Sequence, residues 1–124
     1  IVRTALICMA VFFVICTIDL FAASNLTFDA SARPTSLVLG GASLLESNPS
    51  AGFYLFTDGN AESGTPLDAI SRSGNDFTVS QSGGNPSFTL RIEPYTNHVA
   101  IHLVDIKGVP TDQDYGLHLK LYLE

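Results

Sequence analysis

In the second half of the chain, apolar side chains fall on every second position. Phe77 and Val79 form one set, and Phe88, Leu90 and Ile92 the next. Val99, Ile101 and Leu103 follow, then Leu117, Leu119, Leu121 and Leu123. A spacing of two is the signature of an extended strand with one face buried, and it excludes an amphipathic helix. The turn residues between the sets fix a trial register. Reading Ser82-Gly83-Gly84-Asn85 as a hairpin with a two-residue Gly-Gly turn places Val79 opposite Phe88 and Phe77 opposite Leu90. Pro86 then needs an edge or a bulge, because it has no N–H to give a ladder. A connection through Glu93-Pro94-Tyr95-Thr96-Asn97 leads to pairs Ile92–Val99, Leu90–Ile101 and Phe88–Leu103. Matching apolar positions once more pairs Val99 with Leu121, Ile101 with Leu119 and Leu103 with Leu117. The expectation is a C-terminal four-stranded antiparallel meander with one apolar face, in which a slip of one residue would turn every side chain to the wrong side.

That face needs a cover. Leu26-Thr27-Phe28, Leu37-Val38-Leu39 (stopped by Gly40-Gly41) and the continuous run Phe53-Tyr54-Leu55-Phe56 read as earlier strands. Residues 57–75 are polar, with a short strand at Ala69-Ile70-Ser71. No segment after residue 24 keeps a helical period, and there is no internal repeat. Two sheets packed face to face, an all-β antiparallel β-sandwich over residues 25–124, is the architecture this pattern predicts.

The first 24 residues are of another kind. Positions 4–23 are apolar apart from Thr4, Thr17 and Asp19; Arg3 precedes them and Ala22-Ala23-Ser24 closes them. The 14-residue stretch Ala5–Ile18 between a positive start and small residues is the pattern of a signal peptide over residues 1–24, with cleavage after Ser24. Ala30-Ser31-Ala32 is a second small triplet, and an uncleaved signal anchor is the alternative, since about 20 apolar residues span a bilayer. Export places the domain outside the cell, in the periplasm or on the cell surface, and limits membrane contact to this segment. Both cysteines, Cys8 and Cys16, lie within it. The exported part therefore has no disulfide and depends on a packed core. The chain opens on Ile1 and stops at Glu124 within an alternating strand pattern, which reads as a domain truncated at its C-terminus.

After Ser24 there are five basic and eleven acidic residues, a net charge of −6 with neutral histidine. An acidic surface without basic clusters argues against nucleic-acid partners and anionic lipid surfaces.

Candidate chemistry is sparse. His98 and His102 share one strand face, and the trial register brings His118 opposite His102 and Tyr122 opposite His98. Three imidazoles on one face are a possible transition-metal set, although Lys120 beside them repels a cation. The same face, with Tyr95, His98, His102, His118 and Tyr122, also reads as a polar aromatic surface for a ligand or another domain. Asp58, Asn60 and Glu62 alternate oxygen ligands as a calcium loop does, yet the twelfth position holds Ala69 instead of a bidentate acid. A solvated acidic turn explains them equally well. Asp105, Asp112 and Asp114 around the 107–111 loop admit the same two readings. Apart from that histidine set, no cofactor is expected unless the acidic loop holds calcium.

No Gly-x-Ser-x-Gly elbow, phosphate loop or His-Glu-x-x-His motif occurs, and no carboxylate spacing singles out an acid/base pair. Asn25-Leu26-Thr27 is a glycosylation sequon.

Two blocks, Leu26–Asn60 and His98–Pro110 followed by Tyr115–Leu121, share a pattern of strand, Gly-rich turn and Gly-Val-Pro loop. In this the chain resembles the N-terminal β-sandwich domain that precedes the catalytic domain in some large secreted bacterial glycoside hydrolases. The resemblance implies a non-catalytic module that packs on a C-terminal catalytic domain of the same chain and sometimes lends a loop to a carbohydrate pocket. It carries no catalytic residue onto this sequence. A stand-alone extracellular glycan- or protein-binding adhesion module is the alternative, and a small metal-dependent enzyme built on the three histidines is a third.

Overall fold

A computed structural model describes residues 23–58, 64–82, 84–109 and 111–124. The proposed targeting segment, apart from its last two residues, and the candidate calcium ligands Asn60 and Glu62 lie outside this set.

The described residues are all β, and every paired ladder is antiparallel. In chain order the strands are β1 (Asn25–Phe28), β2 (Pro34–Leu39), β3 (Ala42–Ser43), β4 (Gly52–Thr57), β5 (Thr65–Leu67), β6 (Ala69–Ser73), β7 (Asp76–Ser80), β8 (Ser87–Pro94), β9 (Val99–Lys107) and β10 (Tyr115–Lys120). They form three sheets in the orders β1-β2-β3, β10-β4-β5 and β6-β7-β8-β9. One core joins all three. Phe28, Phe53 and Phe77, one from each sheet, meet with ring centroids 5.1, 5.5 and 6.3 Å apart, and Leu26, Leu37, Leu55, Leu67, Val79, Phe88 and Leu90 are buried around them.

The β7–β8 ladder has the register read from the sequence, with Val79 opposite Phe88 and Phe77 opposite Leu90. All four of those side chains are buried. The connection is longer than a two-residue turn, however. The ladder stops at Ser80–Ser87, and the Gly84 N–H donates to the Gln81 carbonyl at 2.9 Å. Pro86 is thereby left outside the ladder, as its missing N–H requires.

The next two ladders depart from expectation. The β8–β9 hairpin closes tightly: the Tyr95 N–H donates to the His98 carbonyl at 2.9 Å across Thr96-Asn97. That short turn moves the register by two residues, to Ile92–Ile101 and Leu90–Leu103. Beyond it Val104 is an extra residue, a β-bulge between the pairs Leu90–Leu103 and Thr89–Asp105, so Phe88 faces Ile106 instead of Leu103. The last strand does not join this sheet. β10 pairs with β4, placing Leu117 opposite Leu55 and Leu119 opposite Phe53. The pairs Val99–Leu121, Ile101–Leu119 and Leu103–Leu117 are therefore absent. The reason lies in β4, whose apolar run gives it buried side chains at Phe53 and Leu55 and makes it a central strand in need of neighbours on both edges. The four-stranded meander that forms is β6 to β9, one strand earlier than predicted.

With β10 elsewhere, β9 is an edge strand. Ile101 and Leu103 share the face of Ile92 and Leu90, yet they are 43% and 52% exposed. The apolar face of the sheet thus runs past the edge of its cover.

Ser24, fully buried, ties the start of the folded part to two turns. Its hydroxyl donates to the Thr96 carbonyl and accepts the Gly40 N–H, each at 2.9 Å.

Candidate functional site

The outward face of β7, β8 and β9 carries a row of polar side chains set by strand parity. Because Leu90 and Ile92 point into the core, Arg91 and Glu93 point out, and Asp76 and His102 lie on either side of Arg91. Arg91 grips Asp76 through two bonds, Nε to Oδ1 at 2.7 Å and Nη2 to Oδ2 at 3.2 Å. Glu93 Oε2 accepts the Tyr95 hydroxyl at 2.7 Å and lies 3.3 Å from His102 Nε2. Tyr95 stacks on His98, with ring centroids 4.4 Å apart and planes 10° from parallel. The tight turn at Thr96-Asn97 causes that stacking, since it sets the two rings directly across the hairpin mouth. An open depression beside this row is lined by Asn75, Arg91, Ile92, Glu93 and Pro94.

The electrostatics follow from these contacts. The Arg91 guanidinium, chiefly through its hydrogen bond, holds the Asp76 carboxyl below the ordinary carboxylate range. The Tyr95 hydroxyl, and then the positive character of His102, does the same for Glu93. Donation to Glu93 in turn pushes the Tyr95 phenol above its usual value. Both contacts favour the ionised carboxylate. The row is equipped to accept and donate hydrogen bonds to a ligand.

The five residues predicted to share one face are divided by the topology. Tyr95, His98 and His102 gather at the β8–β9 hairpin. His118 lies opposite Tyr54 in the other sheet, with its ring 4.3 Å from Phe56. Beside it the Lys120 ammonium sits 4.1 Å from the centre of the Tyr54 ring. Tyr122 follows β10, and its carbonyl accepts the Glu46 N–H at 2.7 Å. The register that put His118 across from His102 and Tyr122 across from His98 is therefore corrected, because β10 satisfies β4 and not β9. Among the described residues no group of three His, Cys, Asp or Glu side chains is placed to hold a metal. Asp58 is exposed at the end of β4, and its two proposed co-ligands lie outside the described residues. Asp105 is engaged locally, its Oδ1 accepting the Ile106 N–H and its Oδ2 lying 3.7 Å from Lys107 Nζ.

Sequence reasoning missed Arg91 and Glu93. The signal was present: Arg91, Glu93 and Tyr95 are two apart, on the parity opposite to the apolar set.

No family model matches the chain, and no curated protein or solved structure matches it either.

Proposed function

We propose that the chain is a non-catalytic β-sandwich module of an exported carbohydrate-active protein, delivered by its apolar N-terminal segment and packed against a catalytic domain of the same polypeptide. The observation that carries this reading is the uncovered continuation of the core face on β9. Ile101 and Leu103 stand opposite core-lining residues of β8 but remain open. A second apolar surface laid there extends the existing core, which is how a supporting domain holds its neighbour. The convergence of three sheets on one phenylalanine cluster supports the layered β-sandwich.

The test is the reading frame that encodes the chain. A frame that continues past the Glu124 codon into a domain with an acid/base carboxylate pair is the expected result, and Leu103→Asp in that longer protein should then lower the temperature at which hydrolysis is lost. A stop codon directly after Glu124, or indifference of the hydrolase to Leu103→Asp, overturns the docking role.

The alternative of a stand-alone binding module is favoured by a different observation, the preorganised polar row at the β8–β9 hairpin.

A further inference from the structure

The geometry points to a neutral-saccharide binding site on the outward face of the β8–β9 hairpin, formed by Arg91, Glu93 and the Tyr95–His98 stack with Asn75 at its margin. It deepens the reading above by naming what the module contacts, and it rests on a separate surface from the β9 strip.

The groups are held in place by contacts that leave part of each unspent. Glu93 uses Oε2 for both the Tyr95 hydroxyl and the His102 contact, which leaves Oε1 as an acceptor on a side chain 41% exposed. Arg91 uses Nε and Nη2 on Asp76, so Nη1 remains a donor. The two residues are two apart on one strand face, which puts a donor and an acceptor on the same surface of the sheet. Planar carboxylate and guanidinium groups suit the paired hydroxyls of a pyranose ring. Next to them the Tyr95–His98 stack is a two-ring slab with Tyr95 45% exposed. Slabs of this kind bind the C–H face of a sugar, and an aromatic group already stacked loses little freedom on binding.

Charge selects the ligand. Apart from its imidazoles, the row holds Asp76 and Glu93 against Arg91 alone, and the chain as a whole is at −6 counted with neutral histidine. Uronates, sulfated glycans and phosphates are repelled, while uncharged hydroxyls are not. The depression lined by Asn75, Arg91, Ile92, Glu93 and Pro94 is open on its solvent side, as a site for one or two units of a longer chain must be.

The experiment is a titration of the full chain with soluble neutral hexasaccharides (cellohexaose, xylohexaose, mannohexaose, maltohexaose) and with an oligogalacturonate as the anionic comparison, followed by calorimetry and backbone amide shifts. Saturable binding of at least one neutral probe is expected, with Kd of about 1 mM or tighter. Glu93→Gln and Tyr95→Ala should each weaken it by about tenfold or more. Lys120→Ala, in the other sheet, should leave it unchanged, and circular dichroism should give one strand spectrum for all three variants.

Silence of every neutral probe to about 10 mM overturns the site and leaves the docking role to its own test. Equal affinity in Glu93→Gln and Tyr95→Ala, or stronger binding of the oligogalacturonate, also overturns it. A reading frame that ends at Glu124 with this binding intact removes the docking role alone.

Discussion

Leu90 and Leu103 are direct partners across the β8–β9 ladder, yet one is 3% exposed and the other 52%. The same residue type on the same sheet face has opposite surroundings, because the cover ends between the two strands. Leu90→Ala empties space inside a packed core and should cost roughly 2–5 kcal/mol, whereas Leu103→Ala removes a side chain already in water and should cost under about 0.5 kcal/mol. Urea midpoints of the two variants give the comparison. Equal losses would mean that Leu103 is covered in solution.

Stability should fall below neutrality in a way traceable to two carboxyls. Asp76 is held down by the Arg91 hydrogen bond and Glu93 by that of Tyr95, so in both the folded state binds its proton more weakly than the unfolded state. Their contribution is therefore complete above the ordinary carboxylate range of about 4 and is lost as pH falls through the lower folded values. Asp76→Asn and Glu93→Gln should each flatten the decline of the urea midpoint between pH 5 and pH 2. The Tyr95 phenol should ionise above the usual value of about 10 in an ultraviolet titration, and Glu93→Gln should bring it back.

Gly64 has φ +73°, and a Cβ there would sit 2.8 Å from Phe56 Cε2. Gly64→Ala meets both the left-handed backbone penalty and the ring, for a loss of roughly 1–2 kcal/mol. Part of the clash can be relieved by swinging Phe56, which would take it off His118. The His118 ring protons should then lose their ring-current shift. Unchanged stability and unchanged shifts together would contradict this account.

Ser24→Ala removes the hydroxyl that links the 40–41 turn to the 96–97 turn and leaves the Gly40 N–H and the Thr96 carbonyl without it. The expected cost is roughly 1–3 kcal/mol. Hydrogen exchange should rise at Gly40 ahead of the β7 and β8 amides, since the tie lies at the margin of the core.

How much of this was legible depends on what fixes each pairing. The β7–β8 register followed from the spacing of the Ser82-Gly83-Gly84-Asn85 connection, which brings Phe77 and Val79 opposite Leu90 and Phe88. β1, β2, β4 and the all-β class were equally plain, whereas the short strands β3 and β5 carry too few apolar residues to show a period. The β8–β9 register was not, since apolar matching at Ile92 accepts Val99 or Ile101, and the choice was made by the Thr96-Asn97 turn, whose compactness no side chain announces. β10 was ambiguous for a global reason. Its leucines match β9 as well as they match Phe53 and Leu55, and only the demand of β4 for two neighbours decides. The site inherited both uncertainties: Tyr95, His98 and His102 do gather, while His118 and Tyr122 left with β10. Glu93 was passed over although it shares the parity of Arg91 and Tyr95, because its partner His102 is set only by the β8–β9 register.

The extra residue at Val104 governs what an open edge can become. A foreign strand that tried to lengthen the sheet would find a regular template only from Val99 to Leu103, before the backbone steps out of phase and Asp105 and Lys107 arrive. Fibre growth by edge-to-edge stacking needs a longer flat run than that. The irregularity therefore lets a greasy strip stay open without seeding aggregates.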